Sequence, residues 1–216
     1  MNEQNDKPAV ILKATLKRLP LYYNYLKEKE KVGELYVSST VIAKSLKLNP
    51  IQIRKDLAYV SKTAGKPRMG FEISPLIEDM ENFLGYKNVD DAVLVGVGRL
   101  GRTLLSYNGF QEYGLNIVAG FDVDEDIIGL KINGKPIMPI QRLKQMVERL
   151  NINIGIITVS SESAQNVCDL LVGAGIKAIW NFVPTHIEIT ENVIIKNENL
   201  AASLAGLSHE LLNSLK

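Results

Sequence analysis

The apolar positions divide the chain into two parts with different spacings. Over residues 8–75, apolar side chains recur three and four positions apart in short stretches, which is the spacing of amphipathic helices. Over residues 91–197, continuous apolar runs alternate with amphipathic stretches, the pattern of a parallel sheet with crossover helices. The sequence therefore predicts an α/β protein with four parts: a helical domain at residues 1–75, a connecting helix or linker at 76–90, a sheet domain at 91–198 and a C-terminal helix at 199–216.

The N-terminal part predicts three helices with a tight break between the last two. Residues 8–19 predict the first helix, which we expect to be interrupted at Pro20 and to resume after it. Ser38 or Ser39 can cap the second helix by accepting backbone N–H bonds. Asn49, followed directly by proline, starts the third helix. Two short helices joined by a tight break are arranged as in a helix-turn-helix.

The third helix carries side chains that suit DNA. Ile53, Leu57 and Val60 recur at helical spacing and should face the core. The opposite side then presents glutamine and arginine, which can contact adenine and guanine edges in the major groove, and a lysine suited to a phosphate. A helical hairpin with a solvated basic face is the alternative. The predicted DNA contacts, two of them in the loop that follows, are Ser38, Ser39, Ile51, Gln52, Arg54, Lys55, Lys66 and Arg68.

A basic loop follows this helix, where a winged helix would have its wing. Gly65, Pro67 and Gly70 are turn residues, and the β-type segment after them predicts a hairpin. Lys66 and Arg68 at its tip can reach phosphates or a narrow minor groove. Charge supports this interpretation, since residues 1–75 hold 14 Lys or Arg against 7 Asp or Glu, whereas the remainder has a net charge of −6. We therefore expect the N-terminal domain to be a winged helix that binds DNA.

A glycine motif at the start of the sheet domain predicts a dinucleotide site. Gly96, Gly98 and Gly101 form G-x-G-x-x-G directly after an apolar strand and before a helix. Backbone N–H groups at that helix start favour a pyrophosphate. Asp122 ends the next strand, 21 residues beyond Gly101, and its carboxylate suits the ribose hydroxyls and repels a 2′-phosphate. We therefore expect a Rossmann-type domain that binds NAD(H) in preference to NADP(H), with a vestigial or CoA-type Rossmann domain as the alternative.

Later strands should add residues to the same site. Parallel sheets of this type bind ligands at the carboxyl ends of their strands, which here are the Val159–Ser160 and Asn181–Pro184 segments. The predicted cofactor contacts are Gly96, Val97, Gly98, Arg99, Leu100, Gly101, Tyr107, Asp122, Val123, Val159, Ser160, Asn181 and Pro184.

Composition excludes several functional classes. No apolar run approaches the ~18–20 residues of a membrane span. One cysteine, Cys168, and two histidines indicate a metal-free protein of a reducing compartment, and we expect it in the cytoplasm. The nucleotide-binding sheet uses the whole α/β part, so no substrate domain and no evident acid or base for hydride chemistry remain. A sensor is therefore expected rather than an enzyme. The alternatives are a small NAD-dependent oxidoreductase with an appended helical domain, and a structural or CoA-binding module whose basic end contacts RNA or protein.

The chain resembles the Rex family of redox-sensing transcriptional repressors. The resemblance lies in residues 18–26, 37–60, 65–71, 96–110, 120–124 and 157–185. It implies winged helices that bind a palindromic operator, and a homodimer whose Rossmann domains exchange C-terminal helices. It also implies that NADH binding weakens DNA affinity while NAD⁺ permits it. An apolar stripe from Leu200 to Leu211 in the last helix agrees with a dimer, since a terminal helix must bury it somewhere.

The resemblance also implies a switch, and here the chain departs from the family. Family members have an arginine at the place of Arg18 and a tyrosine at the place of Tyr107, and these communicate with an aspartate at the start of the C-terminal helix. Arg18 and Tyr107 are present, but Asn199 stands at the aspartate position. An amide forms hydrogen bonds but no charge pair, so we expect a weaker or differently connected switch. The wing sequence GKPRMGF also departs from the commoner GKRGVGY, which puts the operator sequence in question.

Overall fold

A computed structural model describes residues 13–63, 65–88, 90–189 and 192–215. The chain divides into two compact units, and the boundary falls between Lys87 and Asn88. The elements of the first unit are α1 (Lys13–Lys31), β1 (Tyr36–Val37), α2 (Ser39–Leu46), α3 (Pro50–Val60), β2 (Phe71–Glu72) and α4 (Ile73–Leu84). Its two short strands pair antiparallel.

Helix α1 runs through Pro20 without interruption, so the expected break is wrong. Residues 8–12, where we expected the helix to begin, lie outside the described residues. Proline inside a helix removes one hydrogen bond and costs about 3 kcal/mol. Leu19, Tyr22 and Leu26, which flank it, are fully buried, and each buried side chain of this size contributes roughly 1.5–3 kcal/mol. Packing on both sides of the proline therefore outweighs the local cost.

Helix α4 packs inside the first unit. Ile73, Leu76, Ile77 and Met80 are buried, and the helix contacts α1 and α3. The segment expected as a connector at residues 76–90 is therefore largely a core helix of the N-terminal unit. Gly85 ends it in the left-handed conformation, with φ of +77°.

The second unit is built on a seven-stranded sheet. Its elements are β3 (Asp90–Val95), α5 (Arg99–Ser106), β4 (Leu115–Asp122), β5 (Lys131–Ile132), β6 (Lys135–Pro139), α6 (Leu143–Leu150), β7 (Ile154–Ile157), α7 (Ala164–Gly173), β8 (Ala178–Asn181), β9 (Ile194–Asn197) and α8 (Leu200–Ser214), with 3₁₀ helices at Asn108–Tyr113 and Ile140–Arg142. The strand order is β5-β6-β4-β3-β7-β8-β9, and only the β5–β6 pair is antiparallel.

This order places a topological switch point between β3 and β7. Strands added after β3 go first to one side, as β4 and β6, and then to the other, as β7, β8 and β9. Doubly wound sheets bind dinucleotides at the carboxyl ends of the two strands that flank this point. The predicted Rossmann-type sheet is thus observed. Cys168 is buried on α7, as expected of a core residue.

Neither unit holds a membrane-spanning helix within the described ranges, because no helix there combines the necessary length with sufficient apolar character.

Candidate functional site

Helix α3 presents a polar face with a well-formed start. Asn49 Oδ1 accepts hydrogen bonds from the backbone N–H groups of Ile51 at 2.8 Å and Gln52 at 3.4 Å. The predicted inward stripe is confirmed, since Ile53, Leu57 and Val60 are buried. The predicted DNA contacts on this helix, Ile51, Gln52, Arg54 and Lys55, are all exposed, Ile51 by 61%.

The two serines before α2 differ in accessibility. Ser38 is the N-cap, and its Oγ accepts a hydrogen bond from the backbone N–H of Val41 at 3.2 Å. Ser39 is only 6% exposed. The structure therefore leaves Ser38 partly accessible and Ser39 largely buried, and a DNA contact through either side chain stays a prediction.

The basic loop forms a tight turn on the two-stranded sheet. Lys66 and Gly70 exchange two backbone hydrogen bonds of 2.7 and 2.9 Å. The strand after the turn pairs with β1, which precedes α2, instead of with the other arm of the loop. Gly70 has φ of +88°, and a Cβ on it would lie 2.2 Å from the carbonyl oxygen of Val37, so only glycine fits. The loop occupies the position of the predicted wing.

A cationic cavity of about 640 Å³ lies between this wing, α3 and the start of α2. Its charged lining residues are Arg54, Lys66 and Arg68, and the others are Ser38, Ser39, Thr40, Ala58, Ser61, Thr63, Gly65, Pro67, Gly70 and Phe71. Lys66 Nζ donates to Tyr36 Oη at 3.1 Å and lies 3.6 Å from Glu72 Oε2. The hydrogen bond to Tyr36 and the charge of Glu72 raise the pKa of Lys66, so it is cationic at neutral pH. A cavity with this lining suits a phosphate backbone.

The glycine turn after β3 has the geometry of a dinucleotide cradle. Gly96 has φ of +97°, and a Cβ on Gly101 would lie 2.1 Å from the Gly96 carbonyl oxygen, which fixes α5 against the strand end. A Cβ on Gly98 would meet no atom within 4 Å, so the missing side chain leaves open space in front of the α5 N-terminus. That space and the N–H groups of the first helical turn suit a pyrophosphate. The described residues thus fit the expected NAD(H).

Asp122 is oriented by backbone donors at the end of β4. Its Oδ2 accepts from the Val97 N–H at 2.6 Å, and its Oδ1 accepts from the N–H groups of Val123 at 2.7 Å and Asp124 at 3.1 Å. A carboxylate oxygen accepts two hydrogen bonds, so Oδ2 can still accept one from a ribose hydroxyl. Val97 itself is buried and contributes only its backbone.

An apolar pocket of about 220 Å³ lies beside this carboxylate. It is lined by Val95, Gly96, Asp122, Val123, Ile140, Val159, Ser163, Asn166, Val167 and Leu170. An adenosine, with an apolar base and a polar ribose, matches such a lining. Val123 and Val159, which are predicted cofactor contacts, both line this pocket, and their contact with a cofactor stays a prediction. The other side of the pocket, with Ile140 from the 3₁₀ helix and Asn166 and Leu170 from α7, was missed because it combines two segments that are distant in sequence.

The carboxyl ends of β7 and β8 differ from the prediction at two residues: Thr158, which was not predicted as part of the site, and Asn181, which was predicted to contact the cofactor. Thr158 Oγ1 donates to the Gly96 carbonyl oxygen at 2.6 Å and ties the glycine turn to the next strand; its place just after an apolar run was the available signal. Asn181 is fully buried, and its amide bonds with Val183 and Asn197. This asparagine therefore shapes the strand end instead of facing a cofactor, whereas Ser160 and Pro184 are exposed.

A row of aromatic rings lies on one face of the sheet near these ends. Tyr107 contacts Phe110 with centroids 4.9 Å apart, Phe110 contacts Trp180 at 5.5 Å, and Trp180 contacts Phe182 at 4.7 Å. Tyr107 is 53% exposed. Such a row offers a flat apolar surface to a ring-shaped ligand.

The three predicted switch residues have partners within their own units. Arg18 forms an ion pair with Asp56, with Nε 2.8 Å from Oδ2. Asn199 caps α8 by accepting the N–H of Ala202 at 3.0 Å. The predicted communication of Arg18 and Tyr107 with Asn199 stays a prediction. Asp56 was missed, although an acidic residue on the apolar side of α3 was a signal for a buried ion pair.

The described residues contain no group of three or more His, Cys, Asp or Glu side chains that would hold a metal ion.

Comparison with known proteins gives consistent relatives over most of the chain. A model described as a putative DNA-binding protein N-terminus matches residues 11–58, and a CoA binding domain model matches residues 88–185. The redox-sensing transcriptional repressor Rex of Bacteroides thetaiotaomicron is 42% identical over 203 residues, which are 94% of this chain and 92% of that protein. Rex of Carboxydothermus hydrogenoformans is 38% identical over 201 residues, 93% of this chain and 96% of that protein.

Solved structures agree in fold. The crystal structure of RSP in complex with β-NAD⁺ and operator DNA has a TM-score of 0.87 and 31% identity, and the match covers 95% of this chain and 94% of that one. RSP in complex with β-NADH has a TM-score of 0.83 and 31% identity, with 96% and 100% covered.

Proposed function

The chain belongs to the Rex family of redox-sensing transcriptional repressors, and we propose that it binds operator DNA through its N-terminal unit and leaves the operator when NADH binds its sheet domain. Family membership makes it a regulator and not an enzyme, as expected. The observation that carries the proposal is that one chain holds two sites. Its N-terminal unit has an exposed α3 face beside a cationic wing, and its sheet domain has an open glycine turn.

The DNA contacts that we propose follow from exposure. Helix α3 enters the major groove with Gln52, Arg54 and Lys55, and its N-terminal end leads, as in other helix-turn-helix proteins. Arg68 at the wing tip and Ser38 at the start of α2 contact the flanking phosphates. Because α4 packs in the same unit, we extend the DNA-binding domain beyond residue 75 to the boundary at Lys87.

The cofactor contacts that we propose follow from the glycine turn. The pyrophosphate lies against Gly98 and the first turn of α5, near Arg99 and Leu100, and the adenosine ribose bonds to Asp122. The nicotinamide lies toward Tyr107 and the aromatic row. When bound, NAD(H) supplies a ring that is cationic when oxidised and uncharged when reduced, so an apolar surface disfavours the oxidised ring more strongly on desolvation.

The assembly that we propose is a homodimer on palindromic DNA. The described leucines of α8, including Leu204, Leu207 and Leu211, are more than half exposed in one chain, and such a stripe requires a covering surface. A protein that binds operator DNA and responds to the coenzyme pool acts in the cytoplasm, where both are present.

The test is a titration of the operator complex with nucleotides. A labelled operator, isolated from genomic fragments that the purified chain retains, is followed by fluorescence anisotropy while NADH, NAD⁺ or CoA is added. We expect NADH to weaken DNA binding by roughly 5- to 150-fold, the usual size of an allosteric coupling, and NAD⁺ and CoA to leave the complex in place. An unchanged complex in NADH contradicts the sensor, and release by CoA alone supports the CoA-type alternative.

A further inference from the structure

A carboxylate is buried between α1 and α3 and accepts five hydrogen bonds. Asp56 is 2% exposed. Its Oδ2 accepts from Arg18 Nε at 2.8 Å and Tyr22 Oη at 2.9 Å. Its Oδ1 accepts at 3.0 Å from each of Thr15 Oγ1, Arg18 Nη2 and Gln52 Nε2. The Asp56 carboxylate thereby links two helices of the N-terminal unit with a side chain on the DNA face.

These contacts keep Asp56 ionised. Burial alone would raise its pKa, but the hydrogen bonds from Arg18, Gln52, Tyr22 and Thr15 outweigh it and lower the pKa below the usual value. An ionised carboxylate only accepts hydrogen bonds, so the group that faces it from Gln52 must be the amide nitrogen. The Asp56 charge thus fixes which end of the Gln52 amide points outward.

The oriented Gln52 amide keeps one donor and one acceptor free for an adenine. The Gln52 amide has two N–H donors and one carbonyl acceptor, and Asp56 takes one donor. The second N–H and the carbonyl oxygen remain, which is the pair that contacts N7 and N6 of adenine in the major groove. A side chain held in this orientation loses less rotamer freedom on binding than a mobile one.

We propose that Asp56, held by Arg18 and Tyr22, is a positioning residue that orients Gln52 to read one adenine·thymine pair in each operator half-site. The proposal rests on the function proposed above and adds the base pair and the residue that sets it. Asp56 acts only through Gln52, since its own carboxylate is buried.

A purely structural role would not require the Gln52 bond. Arg18, Tyr22 and Thr15 already neutralise and satisfy the carboxylate from α1. The Gln52 bond is made by an exposed side chain, so water can replace Asp56 as the partner of that amide, and the carboxylate keeps four hydrogen bonds from α1 when Gln52 is removed. The readout that separates the two roles is therefore base preference, not overall affinity.

The experiment measures binding to a set of operators that carry every single base-pair change, for the wild-type chain and for Gln52→Ala, Asp56→Asn and the double variant. We expect one A·T pair per half-site where a change costs the wild type roughly tenfold or more. Both single variants should flatten the preference at that pair to about the same extent and retain it elsewhere, and the double variant should add nothing further.

The chain offers a matched control. Gln165 Nε2 donates to Asp169 Oδ1 at 2.9 Å on α7, with the same four-residue spacing but in the other unit. Asp169→Asn should leave the whole operator profile unchanged. If Asp56→Asn keeps the preference that Gln52→Ala removes, or weakens all positions equally, the proposal is overturned.

A second measurement needs no folded Asp56 variant. In the free wild-type protein, the Gln52 side-chain amide signal, assigned by its loss in Gln52→Ala, should report a restrained group; an order parameter below about 0.6 overturns the proposal. If the wild-type chain binds no operator, both the proposed function and this inference are contradicted. If it binds operator but Gln52→Ala has the same base preference as the wild type, only this inference is contradicted.

Discussion

At the scale of single residues, the three glycines of the turn after β3 have separate physical roles. Gly96 adopts a left-handed conformation that side chains disfavour, and Gly101 admits the Gly96 carbonyl oxygen where a Cβ would stand. Gly98 is under neither constraint and faces open space. Two of the glycines therefore serve the fold of the turn, and the third leaves room for a ligand.

Replacing Gly101 by alanine should uncouple the nucleotide from DNA. A Cβ at 2.1 Å from a backbone oxygen forces α5 away from the turn, and overpacking of this kind costs about 1–3 kcal/mol. We expect NADH binding, measured by calorimetry, to weaken by roughly 5- to 150-fold, and operator binding without NADH to persist. Gly173→Ala is the control, since a Cβ there meets nothing within 4 Å. A Gly101→Ala protein that still binds NADH normally would mean that the pyrophosphate lies elsewhere.

Tyr22 should make the stability of the protein fall at alkaline pH. Burial, together with its hydrogen bond to the Asp56 carboxylate, raises the pKa of Tyr22 from 10.0 to about 12. Between these values the unfolded chain loses a proton that the folded chain retains, so the free energy of unfolding decreases as pH rises and the contribution is complete below pH 10.

The measurement is urea unfolding at a series of pH values from 9 upward. Tyr22→Phe should be less stable near neutrality, because it loses the bond to Asp56, but should decline less steeply above pH 10. Tyr59→Phe, at a half-exposed position, serves as the comparison. Parallel curves for the wild type and Tyr22→Phe would show that this hydroxyl titrates normally.

Residue-scale prediction succeeded where the determinant is local. The glycine spacing and Asp122 lie within one βαβ unit, so the conformation of the turn and the position of Asp122 beside it follow from sequence. Arg18 and Asp56 are separated by 38 residues, and only the packing of α1 on α3 brings them together. The position of Asp56, three residues after buried Ile53 and four before buried Val60, did signal that some cation must meet it.

At the scale of elements, two predictions made from local sequence were wrong because tertiary packing determined the outcome. Proline predicted a break in α1, yet buried side chains on both sides keep the helix continuous. The amphipathic stripe of α4 predicted a connector, yet it completes the core of the first unit. Strands β5, β6 and β9 were not singled out, because each contains a lysine and lacks a long apolar run.

Helix α8 should hold the dimer together. Leu204, Leu207, Leu211 and Leu215 recur along one side and are exposed. A glutamate at Leu207 would place a charge within a buried apolar interface, so Leu207→Glu should give a monomer by light scattering and bind the palindromic operator weakly. Ala202→Glu, on the opposite side of the helix, should remain dimeric. A dimeric Leu207→Glu protein would place the interface on another surface.

At the scale of the whole molecule, the charge distribution separates the part proposed to bind DNA from the part proposed to bind the nucleotide. Residues 1–75 carry a net charge of +7 and the remainder −6, so the attraction to a polyanion is confined to the first third of the chain. The remainder holds the glycine turn and the apolar pocket. A signal between the two parts must therefore be an effect of binding free energies, since the DNA and nucleotide sites share no residue.

That separation makes the coupling testable by reciprocity. If NADH weakens operator binding by a given factor, the operator must weaken NADH binding by the same factor, because both describe one thermodynamic cycle. We expect the two factors, measured by operator anisotropy with saturating NADH and by NADH calorimetry with saturating operator, to agree. A scrambled duplex of equal length should leave NADH affinity unchanged, which separates the specific complex from general polyanion binding. Unequal factors would mean that NADH displaces DNA by a process outside this cycle, such as a change in assembly state, and the two-site sensor would have to be abandoned.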